Sequence, residues 1–289
     1  MLLASLAALA VPARATEPIR VVASFSILAD MVREIGGSEV SVTALVPPDG
    51  DAHTYEPRPS DLLAIQAAKL VVTNGLGLDA WMDRLIGGAG GSAVRVVASA
   101  RVTPRRMSEG GRQVLDPHAW QDPRNGALYA RAIIEGLIRA APDRADLLRA
   151  QGERYLAAIQ ETDAWTLRTL APVPPAKRKI ITSHDAFGYF GARYGIEFHA
   201  AQGIDTDAEP SARDIARLAA QIRREHIRAV FVENMTDPRI ARALAREAGA
   251  VVGGTVYSDA LSPPGGPAAT YLAMLRHNTK LFAAAMAEN

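Results

Sequence analysis

A chain of 289 residues with 48% hydrophobic and 22% charged residues has the balance of a folded globular protein, and its length allows two lobes, each with its own core. The 32 basic and 31 acidic residues cancel to a net charge of +1, so there is no basic field of the kind that nucleic acid or an anionic membrane surface would select. The sequence holds no cysteine, which excludes disulfides, thiolate ligands, cysteine nucleophiles and a lipid-modified cysteine. Any metal is therefore held by nitrogen and oxygen.

The chain begins MLLASLAALAVPARA, an apolar run closing on the small-x-small pattern Ala13-Arg14-Ala15. It reads as a signal peptide over 1–15 removed before Thr16, which predicts a soluble periplasmic protein. Short Val- and Ile-rich runs follow at 19–23, 40–46, 70–73, 94–97, 180–182, 229–232 and 251–256, with helical periodicity between them. This alternation predicts an α/β protein with parallel sheets covered by helices on both faces. The glycine-rich stretch 87–92 reads as a turn before the strand at 94. From 142 to 171 the pattern changes to one long helix, with Leu147, Leu148, Tyr155, Ile159 and Leu167 at helical spacings, Pro142 in its first turn and Pro172, Pro174 and Pro175 beyond its end. The predicted organisation is an N-terminal lobe over 16–141, a rigid connecting helix over 142–171 and a C-terminal lobe over 172–289.

Four polar residues fall where the chemistry of such a fold is done. His53 lies in the loop PPDGDAHTYEPRPSD after the run 40–46, His118 in LDPHAWQDP, His184 directly after a strand in KIITSHDAF, and Asp259 directly after another in GGTVYSDAL. Ligands of parallel α/β sheets bind at the carboxyl ends of strands, so two facing lobes can bring these residues together, two from each lobe. Three neutral imidazoles and one carboxylate form a four-coordinate shell that suits Zn2+, with Mn2+ as the other candidate. Taken singly, each histidine is better read as a structural residue near a turn than as a ligand, and it is the combination that changes the odds. Asp116, Asp122 and Asp185 are candidates either to orient an imidazole or to cap loops and helices.

The combination resembles a known family. GDAHTYEPRPSD and DPHAWQDP are similar to the paired histidine motifs of the zinc- and manganese-binding solute-binding proteins of bacterial ABC importers, the ZnuA/TroA/AztC-like family. SHDAFGYFGARYGIEF resembles its third-ligand motif and VYSDAL the segment that supplies its carboxylate, and the likeness runs on through NGLGLDAWMDRL and HAAQGIDTDAEPSARDI to TYLAMLRHNTKLF. The resemblance implies two α/β lobes on a backbone helix, a metal held between them by His53, His118, His184 and Asp259, and delivery to an inner-membrane permease. A monomer is expected. Histidine rather than glutamate at 184 tilts the expectation toward zinc.

One departure stands out: the stretch 101–116, RVTPRRMSEGGRQVLD, has no histidine where many zinc-binding relatives carry a histidine-rich loop. It reads as a solvated mobile loop, or as a basic face for an acidic partner such as the permease or a periplasmic metallochaperone. His226 and His277 are expected at a helix terminus and in local hydrogen bonding, and His199 outside the ligand set. Asn74-Gly75-Leu76-Gly77-Leu78-Asp79-Ala80 imitates a dinucleotide fingerprint without an acid at the end of the next strand, and reads as a tight strand-to-helix turn. The competing function is a zinc hydrolase with three histidine ligands and Asp259 as general base; if Asp259 ligates instead, the shell is closed and the site stores an ion. An adhesin label would be secondary, since nothing in the sequence encodes attachment. For a histidine site, affinity is expected to fall as pH drops below about 6.5.

Overall fold

The computed structural model describes residues 17–109, 111–203, 206 and 211–289; the expected signal segment 1–15 lies outside the described residues. In chain order the first half contains β1 (Ile19–Phe25), α1 (Ser26–Gly36), β2 (Val40–Val46), α2 (Pro59–Ala67), β3 (Leu70–Thr73), α3 (Trp81–Ala89) and β4 (Val94–Val97). The hairpin strands β5 (Arg106–Glu109) and β6 (Arg112–Leu115) follow, and then α4 (Pro123–Ala140) and α5 (Ala145–Leu170). The second half holds β7 (Lys179–Thr182), α6 (Gly188–Tyr194), β8 (Glu197–Ala200), α7 (Ala212–Arg224), β9 (Ala229–Glu233), α8 (Pro238–Ala248), β10 (Val251–Val256) and α9 (Tyr271–Glu288).

The strands form two four-stranded parallel sheets, ordered β2-β1-β3-β4 and β10-β9-β7-β8. β1 is central and covered on both faces, so all but one of its residues are buried and its sequence is a nearly unbroken apolar run. β2 lies at the edge and alternates in exposure along its first residues. The α/β architecture with parallel sheets flanked by helices is thus the one the periodicity predicts.

The long helix is shorter than predicted at its start, because Pro142–Arg144 form a 3-10 turn and the α-helix begins at Ala145. Leu148, Tyr155, Leu156 and Ile159 are buried, whereas Leu147 and Leu167 point outward at 45% and 43% exposure. Its glycine, Gly152, has a packing reason: a side chain there would drive into Ile134 of α4. α9 lies beside α5 and joins two apolar clusters. Tyr271, Met274 and Leu275 pack into the core of the first sheet together with Tyr257 and Leu261, while Phe282 and Met286 pack against Leu170, Phe187 and Phe231 of the second.

Two loop expectations are corrected. The stretch 101–116, expected as a solvated mobile loop, is largely exposed but folded: Met107 pairs with Val114 across an antiparallel hairpin, and the positive φ of Gly111 (78°) serves its turn. Some of its arginines are committed locally, since Arg101 makes a two-pronged ion pair with Glu135 at 2.7 and 2.8 Å. In the stretch 87–92, Gly87 and Gly88 complete α3, and the chain turns only at Gly90. The 74–80 segment is the tight turn expected, fixed by the buried Asp79 carboxylate, which accepts the N–H groups of Asn74 (2.6 Å) and Gly75 (3.0 Å).

Candidate metal centre

Each of the four predicted residues leaves a strand or turn whose backbone is fixed by a neighbouring side chain. His53 sits in the loop between β2 and α2, where its backbone N–H donates to Asp51 Oδ1 at 2.8 Å. His118 follows the hairpin, and Asp116 Oδ1 accepts both its backbone N–H (3.0 Å) and its ring Nδ1–H (2.9 Å). His184 stands two residues beyond β7; Glu233, the last residue of β9, accepts its backbone N–H with Oε1 (2.8 Å) and contacts its Nδ1 with Oε2 (2.5 Å). Asp259 follows β10, and the carbonyl of the preceding Ser258 accepts Trp120 Nε1–H (2.9 Å) and Gln121 Nε2–H (2.8 Å). Leu261, two residues further, donates its N–H to Ser26 Oγ at 3.0 Å.

These placements bring the three Nε2 atoms onto one carboxylate oxygen. Asp259 Oδ2 is 3.0 Å from His53, 3.1 Å from His184 and 3.7 Å from His118, and His53 and His118 approach each other at 3.3 Å. His118, His184 and Asp259 are fully buried, while His53 keeps 10% of its side chain exposed. The four form a group of metal-ligand spacing. Asp259 is therefore among the imidazoles and does not stand back from them.

The electrostatics follow from burying anions beside imidazoles. Burial alone would depress His118, but the Asp259 charge and the Asp116 hydrogen bond outweigh it and raise the imidazole to about 9. Burial likewise opposes the charged form of His184, yet the Glu233 and Asp259 charges hold it well above the ordinary histidine range. Burial would raise Asp259, but His118 and His184 keep its carboxyl well below the usual carboxylate range. A dication held here would take the place of protons on buried imidazoles, so charge would be exchanged and not simply added.

The remaining candidates separate cleanly. Asp116 orients an imidazole, whereas Asp122 caps α4 by accepting the Arg124 N–H at 2.9 Å. Asp185 donates its backbone N–H to Gly203, and its carboxyl is raised by burial and by the Asp116 charge. His226 occupies the turn after α7 with φ of 57°, and His277 Nε2 meets the Thr255 carbonyl at 2.9 Å. His199 lies on β8 beside Glu197 (3.1 Å) and Gln221, away from the four-residue site. Glu197, His199 and Glu225 also reach ligand spacing, but Glu225 is already paired with Lys179 (2.8 Å) and Arg224 (3.3 Å). The residue that sequence reading misses is Glu233. Its signal was an acid closing the apolar run AVFVE, at a strand end of the same sheet as His184.

Comparison with known proteins identifies the family. The family model described as "Zinc-uptake complex component A periplasmic" matches residues 21–285. The manganese-binding lipoprotein MntA of Halalkalibacterium halodurans is 33% identical over 94% of this chain and 90% of its own length. The zinc-binding protein TroA of Treponema pallidum is 30% identical over 92% of this chain and 88% of its own. The solved structure of the periplasmic zinc-binding protein TroA superposes with a TM-score of 0.87 at 29% identity, covering 93% of this chain and 99% of that one. Because the match spans nearly the whole described fold, both sheets and the helix between them, the chain belongs to the zinc-uptake component A family of metal-binding solute-binding proteins of ABC importers, which are not enzymes.

Proposed function

We propose that this protein is the periplasmic substrate-binding component of a metal ABC importer, which captures Zn2+ with His53, His118, His184 and Asp259 and hands it to an inner-membrane permease. The observation that carries this reading is the convergence of three Nε2 atoms on one buried carboxylate oxygen at 3.0, 3.1 and 3.7 Å. Bonds of about 2.0–2.1 Å in a tetrahedron put neighbouring ligand atoms about 3.3–3.4 Å apart, so the site is already at the size of a zinc shell. With Asp259 as the fourth ligand no position is left for a reactive water, which suits storage and transfer of an ion. In this reading residues 16–141 and 172–289 act as lobes about the helix 142–171, the segment 1–15 is removed on export, and the protein works as a monomer.

Manganese is the second reading, and two observations favour it. The MntA relative at 33% identity is named for manganese, and Asp259 Oδ1 is buried with no hydrogen-bond partner, free to serve as a fifth donor and the second oxygen of the shell. Against it, three imidazoles outbid manganese for zinc in the usual affinity order of divalent ions. Metal analysis of protein purified without added metal, then dialysis against equal concentrations of both ions, decides between them. One equivalent of zinc retained is the expected result; manganese displacing zinc reverses the assignment, and no metal at any concentration removes the function.

A further inference from the structure

The loop that carries His53 is tied to the opposite half of the molecule at several points, and none of these ties involves a metal ligand's ring. Asp51 uses both carboxylate oxygens: Oδ1 accepts the His53 backbone N–H at 2.8 Å, and Oδ2 accepts the Thr206 hydroxyl at 2.6 Å. Two residues earlier, Asp49 Oδ1 accepts the Asn234 side-chain amide at 2.8 Å, and the Asp49 N–H donates to the Leu261 carbonyl at 3.0 Å. Asp49 holds a φ of 57°, the left-handed conformation that aspartate adopts more readily than most non-glycine residues, and this turns its N–H and carboxylate toward the second half together. Asn234 is the residue after Glu233, so one short segment grips His184 on one side and the His53 loop on the other.

We infer that Asp49 and Asp51 are positioning residues that clasp the His53 loop onto the second half through Asn234 and Thr206, and so set how fast a captured ion is released. This rests on the metal-binding reading above. The imidazole of His53 is the ligand nearest solvent, and its aim depends on a backbone that Asp51 fixes only while Asp51 is itself held by Thr206. Hydrogen bonds to an ionised carboxylate are the stronger class, and they shorten the time the loop spends lifted away.

The test is stopped-flow release of zinc from the loaded full-length protein into excess chelator. T206V and N234A are each expected to speed release by roughly tenfold, the T206V/N234A pair by more, and T206S, which keeps the hydroxyl, to release like the wild type. Metal-free melting temperatures should stay at the wild-type value. A double variant that releases zinc at the wild-type rate overturns the clasp. So does T206S releasing as fast as T206V, or faster release accompanied by a matching loss of metal-free stability. If the wild type takes up no zinc, the metal-binding reading fails instead.

Discussion

His118 and His184 stand on the deep side of the site, fully buried, each with a carboxylate fixed behind its Nδ1: Asp116 at 2.9 Å and Glu233 at 2.5 Å. His53 stands at the rim. It lines the mouth of a cleft of about 910 Å³ shared with Leu76, Arg106 and Pro117, and its orientation comes through its backbone and Asp51. The contrast separates two tasks. In the proposed site the deep imidazoles are held by buried anions, and the rim imidazole, open to solvent, is expected to complete the shell last and leave first. Affinity should therefore be carried by the deep pair and the rate of exchange by the rim.

The largest expected effect tests this division directly. H118A and H184A should each weaken zinc binding by more than the roughly 10- to 100-fold that loss of an outer-shell partner costs, because each leaves buried anions facing a vacated ligand position. H53A should cost less, since water can reach the rim and fill the vacated place. Equilibrium competition against a chelator ranks the three, and an H53A loss equal to the other two would erase the distinction between deep wall and rim.

Proton competition comes next in size. Without metal, and against the opposing effect of burial, the Asp259 charge and the Asp116 hydrogen bond raise His118 to about 9 from the ordinary histidine value of about 6.5. In the proposed site zinc would displace that proton, so affinity should fall by about tenfold per unit drop in pH for each proton displaced, starting near pH 9 and not at the 6.5 that an ordinary histidine suggests. The sign for stability is opposite. A folded-state pKa raised above the unfolded value stabilises the metal-free protein fully below about pH 6.5, and this is lost as pH rises through about 9. The increase in melting temperature on adding zinc should thus widen between pH 6.5 and 9. Calorimetric scans with and without metal across that window check both signs, and a shift that narrows with rising pH contradicts the assignment.

Much of this was legible in the sequence because the signals are local. Strand runs at 40–46, 70–73, 94–97 and 251–256 coincide with β2, β3, β4 and β10, since each is a short run rich in β-branched residues, a signal that an edge strand carries as well as a central one. The structure brings His53, His118, His184 and Asp259 together as their positions near strand ends and motifs suggested. What escaped were features made by partners distant in sequence. Glu233 acquires its role only when β9 lies beside β7, and Trp120 reaches the Ser258 carbonyl across 138 positions. The β5–β6 hairpin escaped for another reason: its strands are short and mostly polar, so no alternating apolar pattern announces them.

The outer carboxylates sharpen the comparison within the deep pair. D116N and E233Q should each lower zinc affinity by roughly 10- to 100-fold, because the amide no longer raises the basicity of the imidazole it orients. E233Q keeps an acceptor for the His184 backbone N–H, so its effect should appear in metal affinity with little change in metal-free melting temperature. A pair of variants with wild-type affinity would show that ring orientation is set by packing alone.

The smallest expected effect lies where Asp259 is fastened to the first half. Trp120 and Gln121 both donate to the Ser258 carbonyl, at 2.9 and 2.8 Å, so W120F removes one of two donors and leaves the acceptor satisfied. Its ring still packs against Phe25, centroid to centroid at 5.0 Å in the wild type, and most of the apolar burial is retained. Zinc affinity should fall only a few-fold. Combining W120F with Q121L strips the buried carbonyl of both donors, which costs about 1–3 kcal/mol of stability and should lower affinity well beyond the product of the single effects. Denaturant midpoints and chelator competition on the three variants measure that coupling, and strict additivity would mean that the Asp259 loop is held by the core around Tyr257 and Leu261 and owes nothing to these two donors.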